Sequence, residues 1–584
     1  MRDPSRFDVV IAGGGLAGQS LARQLRMQVP GVTVALVDAQ RRPLPEAAFK
    51  VGEATAELAA HYLAEHLKLR DHLEQDHLLK CGLRFFFGDG RGALSDRPEY
   101  GPRQFPPITS YQLDRGRLEN HLRELNQAES VVLWEGYEIE DIEVGVGGAP
   151  HTTRIRDPQT GIQRRLESRW IVDCAGRRRF LQRKLGLGRP SPLRHSACWF
   201  RVAGNCDVDQ WVASDQDGWH GRVPGGVRHR STNHLLGRGY WVWLIPLSSG
   251  NTSVGIVVDE RIHPVATLDA HAKAMAWLES HEPLLARQVS AHGLMDFHAL
   301  KEFSYATCRF YSADRWACTG EAAMFIDPLY SPGSDFIALG NTLATQLIRE
   351  DHEGRLTTER LERYNDLMLL WQDAFTEVFQ DHLPNFGCAR LTTAKVVWDN
   401  ASYWVFVCQV FFQGVILMDD FLDRYRAHFA WFYQLNQRVQ RLFRQWGQRT
   451  RDGAGFGYLG YADFEVAVRS HLELGQHRTP RRFLEWLEWH RDRFTAWAIV
   501  LFCIAVEDVA PAVMTHLAWD RIAIEDIDLG DLEGLAARCA GRPGVARHPL
   551  AQELRGLSRQ MTKLFPEFRC LQSMGVPVEA CGPR

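Results

Sequence analysis

The sequence predicts an α/β fold in which a Rossmann-like dinucleotide-binding unit carries an antiparallel sheet and is followed by a helical C-terminal region. A glycine-rich turn joins a β-branched strand to an amphipathic helix within residues 7–25. An alternating, aromatic-rich pattern between about 195 and 310 is typical of antiparallel strands forming one wall of a pocket. The pattern is helical from about residue 351. We therefore expect one domain over 1–350 and a helical region over 351–584 that covers the substrate pocket.

The glycine-rich turn predicts a phosphate-binding site. Gly13, Gly15 and Gly18 follow the apolar strand in G-x-G-x-x-G spacing. The first glycine permits a tight turn, the second lets a pyrophosphate approach the backbone, and the third lets the helix pack against the strand. The helix then presents unpaired N–H groups to the anion, and Ala17 in its first turn is included among the expected cofactor contacts.

A second apolar strand, over residues 32–37, supports this interpretation. It ends at Asp38, twenty positions after Gly18, where an acidic side chain binds the ribose hydroxyls of an adenosine. The alternative is a βαβ unit with a structural role only.

Charge and composition exclude several classes of function. The net charge of -3 and pI near 6.8 give no electrostatic basis for binding nucleic acid or an anionic membrane. The longest apolar runs, 403–418 and 494–506, are too short or too polar for stable membrane insertion. The polar residues 1–6 do not resemble a signal peptide, which predicts a cytoplasmic protein. The oligomeric state is left open.

The cysteines predict neither disulfides nor a metal site. Twelve cysteines are scattered along the chain without C-x-x-C pairs or Cys/His spacings of the kind that bind zinc. We expect free thiols in a reducing compartment, and no metal.

Three charged residues in the first half are candidates for a site. Glu53 lies in a V-G-E-A-T segment that has the character of a loop at a cofactor edge, before a helical region over about 56–79. Lys80 lies at the mouth of a strongly apolar strand, and Arg115 begins a helix after a proline-containing loop. The alternative for the lysine and the arginine is an ordinary solvated charge.

Two later segments are candidates for the walls of the same site. Alternation places Trp241 and Trp243 on one face of a strand, where we expect a flat apolar wall. Gly320 and Glu321 open a second strand–turn–helix unit, whose helix N-terminus can face an anion or a flavin ring.

These segments resemble the flavin-dependent halogenases, within the flavoprotein monooxygenase superfamily. The resemblance covers about residues 7–348, and its most specific motif is the W-x-W-x-I-P of residues 241–246. It implies an FAD-binding domain of the monooxygenase type. The residues it assigns to FAD are Gly13, Gly15, Gly18 and Asp38, then Glu53 and Arg115, then Gly320 and Glu321.

The resemblance also implies the chemistry. Reduced FAD, supplied by a separate flavin reductase, reacts with oxygen to give a flavin hydroperoxide, and chloride or bromide is oxidised to hypohalous acid. The acid reaches Lys80, which forms a haloamine or donates a hydrogen bond, and the halogen is delivered to an electron-rich aromatic molecule.

The sequence departs from the family at three positions. Glu321 replaces an aspartate but can still accept a hydroxyl hydrogen bond. Tyr330 stands where tryptophan halogenases have a glutamate, which favours a phenol, a pyrrole or a carrier-tethered ring over tryptophan. Pro332 removes one backbone N–H from the halide-binding turn, so the halide would bind at Gly333 and Ser334.

Two alternatives follow from these departures and from the Trp-rich helical half. The protein is a flavin-dependent monooxygenase without halogenation, or it is a non-catalytic flavin-binding accessory protein that holds a partner or carrier domain.

Overall fold

The computed structural model describes residues 5–46, 50–450, 455–515, 517, 519–540 and 550–575. Two eight-stranded sheets and two short two-stranded ribbons organise these residues. The first sheet contains β1 (Arg6–Ala12), β2 (Val34–Asp38), β7 (Val132–Glu135), β8 (Glu138–Glu143), β9 (His151–Arg156), β10 (Gln163–Asp173), β18 (Tyr311–Ser312) and β19 (Trp316–Cys318). The second contains β4 (Leu83–Phe87), β5 (Glu99–Tyr100), β12 (His195–Ala203), β13 (Thr232–Gly237), β14 (Tyr240–Pro246), β15 (Thr252–Asp259), β16 (Gly293–Leu300) and β20 (Tyr458–Leu459). The ribbons pair β3 (Leu78–Leu79) with β6 (Tyr111–Gln112), and β11 (Gly188–Pro190) with β17 (Tyr305–Thr307).

The α-helices lie around these sheets and fill the C-terminal half. They are α1 (Leu16–Gln28), α2 (Glu57–His61), α3 (Arg70–Asp76), α4 (Arg115–Ala128), α5 (Phe180–Lys184), α6 (Asp217–His220), α7 (His271–His281), α8 (Pro283–Ser290), α9 (Pro332–His352), α10 (Thr358–Phe379), α11 (Ala389–Tyr403), α12 (Gln409–Phe412), α13 (Asp419–Gly447), α14 (Glu465–Leu472), α15 (Pro480–Val509), α16 (Pro511–Met514), α17 (Leu532–Ala540), α18 (Leu550–Met561) and α19 (Arg569–Gly575).

The first sheet is the nucleotide-binding sheet that the sequence predicts. Its strand order is β18-β19-β10-β1-β2-β7, and β1 runs parallel to both β10 and β2. Strand β9 extends it by antiparallel pairing with β10, and β8 pairs antiparallel with β9. Because β1 is central, the turn after it opens at the carboxyl edge of the sheet, where such folds bind ligands.

The second sheet confirms the predicted antiparallel strands. Strands β16, β12, β15, β14 and β13 pair antiparallel in that order, and β13 then pairs parallel with β4. At the far edge, β20 from the C-terminal half pairs parallel with β5.

The helical character of the C-terminal half is also confirmed. Helix α9 ends at His352 and α10 begins at Thr358, so the predicted boundary at 350 lies at a helix end, although the division into two domains stays a prediction. The helical region expected over 56–79 is broken into α2, a π-helical turn and α3. No described helix combines the length and apolar character that a membrane span requires.

Candidate active site

A cavity of about 490 Å³ opens at the carboxyl edge of the first sheet. We call it the first cavity. Six of the predicted cofactor residues line it, namely Gly13, Gly15, Ala17, Asp38, Arg115 and Glu321. The segment 174–176, which follows β10, also lines it.

The three glycines of the turn have different surroundings. Gly13 has φ +108°, and a Cβ atom there would lie 2.5 Å from the carbonyl oxygen of Cys174. A Cβ on Gly18 would lie 1.9 Å from the carbonyl oxygen of Gly13, because α1 packs directly on the turn. At Gly15 the nearest atom to such a Cβ is Lys50 Nζ at 3.8 Å, so this backbone is open to the cavity. The cradle therefore fits a pyrophosphate.

Buried charges surround this cavity. Arg123 hydrogen-bonds Asp38 Oδ2 and donates to Glu135 Oε1 at 2.9 Å. Burial raises the pKa of Asp38, although Arg123 opposes the shift. No local pattern in the sequence indicates Arg123, which lies 85 positions from Asp38.

A second charge cluster, at Glu119, joins the middle of the chain to the cavity. Glu119 is fully buried and accepts hydrogen bonds from Lys50 Nζ at 2.9 Å and Arg115 Nη2 at 2.6 Å. Arg115 Nη1 also donates to the Val51 carbonyl oxygen at 2.8 Å. Arg115 is thereby held as a fixed cation at the cavity wall, and its surface-charge alternative does not fit this burial.

A middle cavity of about 100 Å³ adjoins the first. Both cavities are lined by Leu16, Arg115, Trp243 and Glu321. Further predicted residues line the middle cavity alone, namely Glu53, Trp241, Gly320, Gly333 and Ser334.

The predicted residues of the middle cavity differ in how they are held. Glu53 is buried and accepts a hydrogen bond from Arg201 Nε at 2.7 Å. The Trp241 and Trp243 rings lie 5.6 Å apart at 43° to each other, so they do not form the single flat wall expected from alternation. The reason is that alternation fixes the face of a side chain but not its ring rotation.

The N-terminus of α9 lines the middle cavity. Ser331 has φ +60° and precedes Pro332, the first residue of the helix. Proline suits this position because the first N–H of a helix has no intrahelical partner. Ser334 Oγ is buried and has no hydrogen-bond partner among the described residues. Donors at Gly333 and Ser334 are thus available despite Pro332.

A third cavity, of about 80 Å³, contains Lys80, and we call it the Lys80 cavity. Pro332 lines both this cavity and the middle one, so the three cavities follow one another across the molecule. Lys80 is buried, and its Nζ donates to the Thr55 carbonyl oxygen at 2.8 Å. Burial lowers the pKa of Lys80 to about 8, although the charges of Glu57 and Asp335 oppose this shift. The solvated alternative for this lysine is therefore wrong.

Two carboxyl groups accompany Lys80 in its cavity. Asp335 accepts hydrogen bonds from the Ala59 N–H and the Tyr403 hydroxyl, both at 2.9 Å, and burial raises its pKa to about 8. Burial also disfavours ionisation of Glu57, but hydrogen bonds from His471 and Trp404 keep the pKa of Glu57 below its usual range. The cavity thus holds ionisable groups of both signs.

Part of the cavity wall comes from the C-terminal helices. Tyr330 lines the Lys80 cavity and donates its hydroxyl proton to Asp399 Oδ2 at 3.0 Å. The apolar part of this wall includes Phe375, Phe379, Phe429 and Phe432. The sequence offered no local signal for Asp399, because its contact with Tyr330 spans 69 positions.

One group of possible metal ligands occurs among the residues that the structure describes. It comprises Asp207, Asp209 and His229, none of which lines the three cavities. Arg228 already pairs with Asp209 at 3.2 Å. The absence of a metal cofactor stays a prediction.

The fold and the first cavity define a dinucleotide-binding flavoprotein. A family model described as an FAD binding domain matches residues 6–364, which is more than half of the chain. The chain belongs to this family.

Similar proteins agree with this assignment. The chain is 25% identical over 452 residues to a flavin-dependent halogenase, chlA, of Dictyostelium discoideum, covering 72% of this chain and 73% of that protein. It is 27% identical over 399 residues to the tetracycline 7-halogenase of Kitasatospora aureofaciens, covering 63% and 68%. The structure of halogenase PltM in complex with phloroglucinol and FAD shares the fold, with a TM-score of 0.60, 16% identity and coverage of 87% of this chain and 98% of that one. The predicted resemblance to flavin-dependent halogenases, and with it an enzyme of the oxidoreductase class, is confirmed.

The open backbone at Gly15 gives a direct test of cofactor binding. We expect Gly15→Ala to leave the melting temperature of the apoprotein unchanged, because a Cβ there meets no protein atom closer than 3.8 Å. The added methyl group should raise the Kd for FAD at least ~10-fold, or about 1.4 kcal/mol, by blocking the pyrophosphate. Quenching of flavin fluorescence on titration with the protein measures the Kd for FAD. Gly218→Ala, at another uncrowded glycine, is the control, and equal Kd values for the two variants would contradict the assignment.

Proposed function

We propose that the protein is an FADH2-dependent halogenase. It forms hypohalous acid from oxygen and halide and delivers the halogen through Lys80 to an electron-rich aromatic molecule. The observation that supports this best is the succession of cavities. A buried lysine lies in an aromatic cavity that shares Pro332 with the cavity next to the dinucleotide turn.

The residues of the first two cavities would hold FAD. The turn at Gly13 and Gly15 would bind the pyrophosphate, and Asp38 would bind the ribose hydroxyls. Glu321, which lines both cavities, would bind the ribityl chain. When bound in its reduced form, FAD supplies the activation of oxygen that oxidises the halide.

The α9 N-terminus would bind the halide. Gly333 and Ser334 offer backbone N–H groups there, and Ser334 Oγ adds a buried hydroxyl donor without a partner in the described structure. A helix N-terminus favours an anion through both its unpaired N–H groups and its dipole. These donors replace the N–H that Pro332 lacks.

Lys80 would act as a hydrogen-bond donor to the hypohalous acid. A pKa of about 8 leaves the amine mostly protonated at neutral pH, and the Thr55 carbonyl oxygen fixes its position. Protonation favours the donor role over haloamine formation, because only the neutral amine is nucleophilic.

The proposed partners follow from the same chemistry. A separate flavin reductase supplies FADH2 in the cytoplasm. The substrate is an aromatic small molecule, free or tethered to a carrier protein, that fits between the phenylalanines opposite Lys80.

The decisive experiment combines the protein with FAD, a reductase, NADH, oxygen, bromide or chloride, and a panel of phenols, indoles and pyrroles offered free or on a carrier. We expect halogenated product by mass spectrometry, and Lys80→Ala should reduce its formation at least ~100-fold through loss of the donor. Lys273→Ala, at an exposed lysine, is the matched control.

Other outcomes would support the alternatives. Oxygenated products without halogen, formed equally by wild type and Lys80→Ala, would indicate a monooxygenase. An FAD-loaded protein that consumes no oxygen and forms no product would indicate an accessory protein. Strict dependence of product formation on halide excludes both.

A second prediction concerns the halide site. Ser334→Ala should raise the KM for bromide and chloride about 10-fold, since a hydrogen bond to an anion contributes about 1.5 kcal/mol or more. Pro332→Ser should lower the same KM because it restores a backbone N–H at the helix start. Ser280→Ala, at an exposed position of α7, is the control. Halide KM values unchanged in both site variants would place the halide elsewhere.

A third prediction distinguishes the two roles of Lys80. If the ammonium group donates, kcat/KM for halogenation falls as pH rises through about 8, where Lys80 loses its proton. If the neutral amine reacts, kcat/KM rises over the same range. Because the pKa of Asp335 is also about 8, the break in the pH profile belongs to the pair. In Lys80→Arg, which stays charged, the break should disappear if it comes from Lys80 and persist if it comes from Asp335. Chloride and bromide should show the same break if it belongs to the protein.

A further inference from the structure

A buried polar cluster contributes to the lining of the Lys80 cavity. Its centre is Asp399 on α11, which lines the cavity and is almost fully buried. Asp399 Oδ2 accepts a hydrogen bond from the Tyr330 hydroxyl at 3.0 Å and pairs with Lys395 one turn earlier. Asp399 Oδ1 accepts from Gln440 Nε2 at 2.7 Å. We call these four residues the Asp399 cluster.

The Asp399 cluster has capacity for one more donor. An ionised carboxylate has about four acceptor sites, of which the protein fills three. Lys395 stabilises the ionised form, and the hydroxyl of Tyr330 is committed to Asp399. Ser402, a neighbour in the cavity wall, has a buried Oγ with no partner in the described structure. The lining of the cavity therefore combines aromatic side chains with a polar cluster that can accept a hydrogen bond.

We propose that Asp399 binds the hydroxyl group of a phenolic substrate in the Lys80 cavity and accepts its proton as the ring is halogenated. This inference rests on the proposed function, which supplies the hypohalous acid. It assigns Asp399 as a catalytic residue and Tyr330 as the residue that positions it.

The proton and electron changes balance within the cavity. A ring carbon of the phenol forms a bond to halogen as the halogen–oxygen bond breaks, and the departing hydroxide takes a proton from the Lys80 ammonium to become water. The phenol O–H proton moves to Asp399, which leaves a neutral halodienone. The ring C–H proton then passes to the Lys80 amine, and Asp399 returns its proton to the oxygen. The products are one halophenol and one water.

The chemistry of the cluster favours a phenol over a pyrrole or an indole. All three present a donor to a carboxylate, but only the phenol hydroxyl is acidic enough to give up its proton to one. Burial raises the pKa of Asp399 against the opposing effect of Lys395, which makes the carboxylate a stronger base. Loss of the phenol proton increases the electron density of the ring and so its reactivity toward electrophilic halogen.

Binding and turnover test the inference separately. We expect wild type to bind resorcinol at least ~10-fold more tightly than 1,3-dimethoxybenzene, which has the same ring but no hydroxyl donor. Asp399→Asn should bring this ratio to about 2 or less and lower kcat/KM for resorcinol at least ~100-fold. Quenching of tryptophan fluorescence gives the Kd values without any flavin. Asp420→Asn, at an exposed carboxylate of α13, is the matched control.

Asp399→Asn leaves Lys395 buried without its charge partner, so folding must be checked by thermal melting. If that variant does not fold, the double variant Lys395→Met/Asp399→Asn removes both charges and keeps an amide oxygen for Tyr330 and Gln440. Asp399→Glu should restore part of the lost turnover.

The outcomes separate this inference from the proposed function. A variant that keeps both the resorcinol preference and the wild-type rate would overturn the inference, even if wild type is a halogenase. If Asp399→Asn loses the preference for resorcinol but wild type never halogenates, the proposed function and the proton transfer are refuted. The same result would support Asp399 as the group that binds the hydroxyl.

Discussion

The amide of Asn341 ties together the two helices on which the site depends. Its Nδ2 donates from α9 to the Ala17 carbonyl oxygen at 3.0 Å and to Ser20 Oγ at 2.9 Å on α1. Both helices begin at cavities, α1 at the phosphate turn and α9 at Ser331. A buried amide without these partners would cost about 1–3 kcal/mol, so the packing of α1 on α9 is specific. That packing fixes the distance between the pyrophosphate cradle and the candidate halide site.

This arrangement explains why the dinucleotide end of the site could be predicted. Gly13, Gly15 and Gly18 act through local geometry within six positions, and the strand that ends at Asp38 has a local pattern of its own. The antiparallel wall was predictable for the same reason, since period-two alternation is local. Ring orientation at Trp241 and Trp243 was not predictable, because it depends on packing with neighbours from other strands.

The far end of the site depends on contacts that no local pattern encodes. Lys80 was identified through a family resemblance, but its burial depends on α9 and on the C-terminal helices. Glu57 meets His471, and Tyr330 meets Asp399, across long stretches of chain. Each contact joins the two halves of the molecule. Glu57 and Asp335, the charges that act on the pKa of Lys80, both lie in the first half, but His471 and Tyr403, which contact them, lie in the second.

The short strand β20 has a consequence for how this chain can vary. Tyr458 and Leu459 extend the second sheet beside β5. Tyr458 also donates its hydroxyl proton to the Gly101 carbonyl oxygen at 2.7 Å. Tyr461, three residues further along the chain, lines the Lys80 cavity. The helical half therefore contributes a strand to the second sheet and does not merely cover it. A chain that ends after α9 would lack the C-terminal helices that line the Lys80 cavity. Water would then reach the Lys80 amine, so the shorter chain would not be a smaller version of the same enzyme. Substitutions in the helical half, by contrast, can change the shape of the Lys80 cavity while the glycine-rich turn of the first cavity stays unchanged.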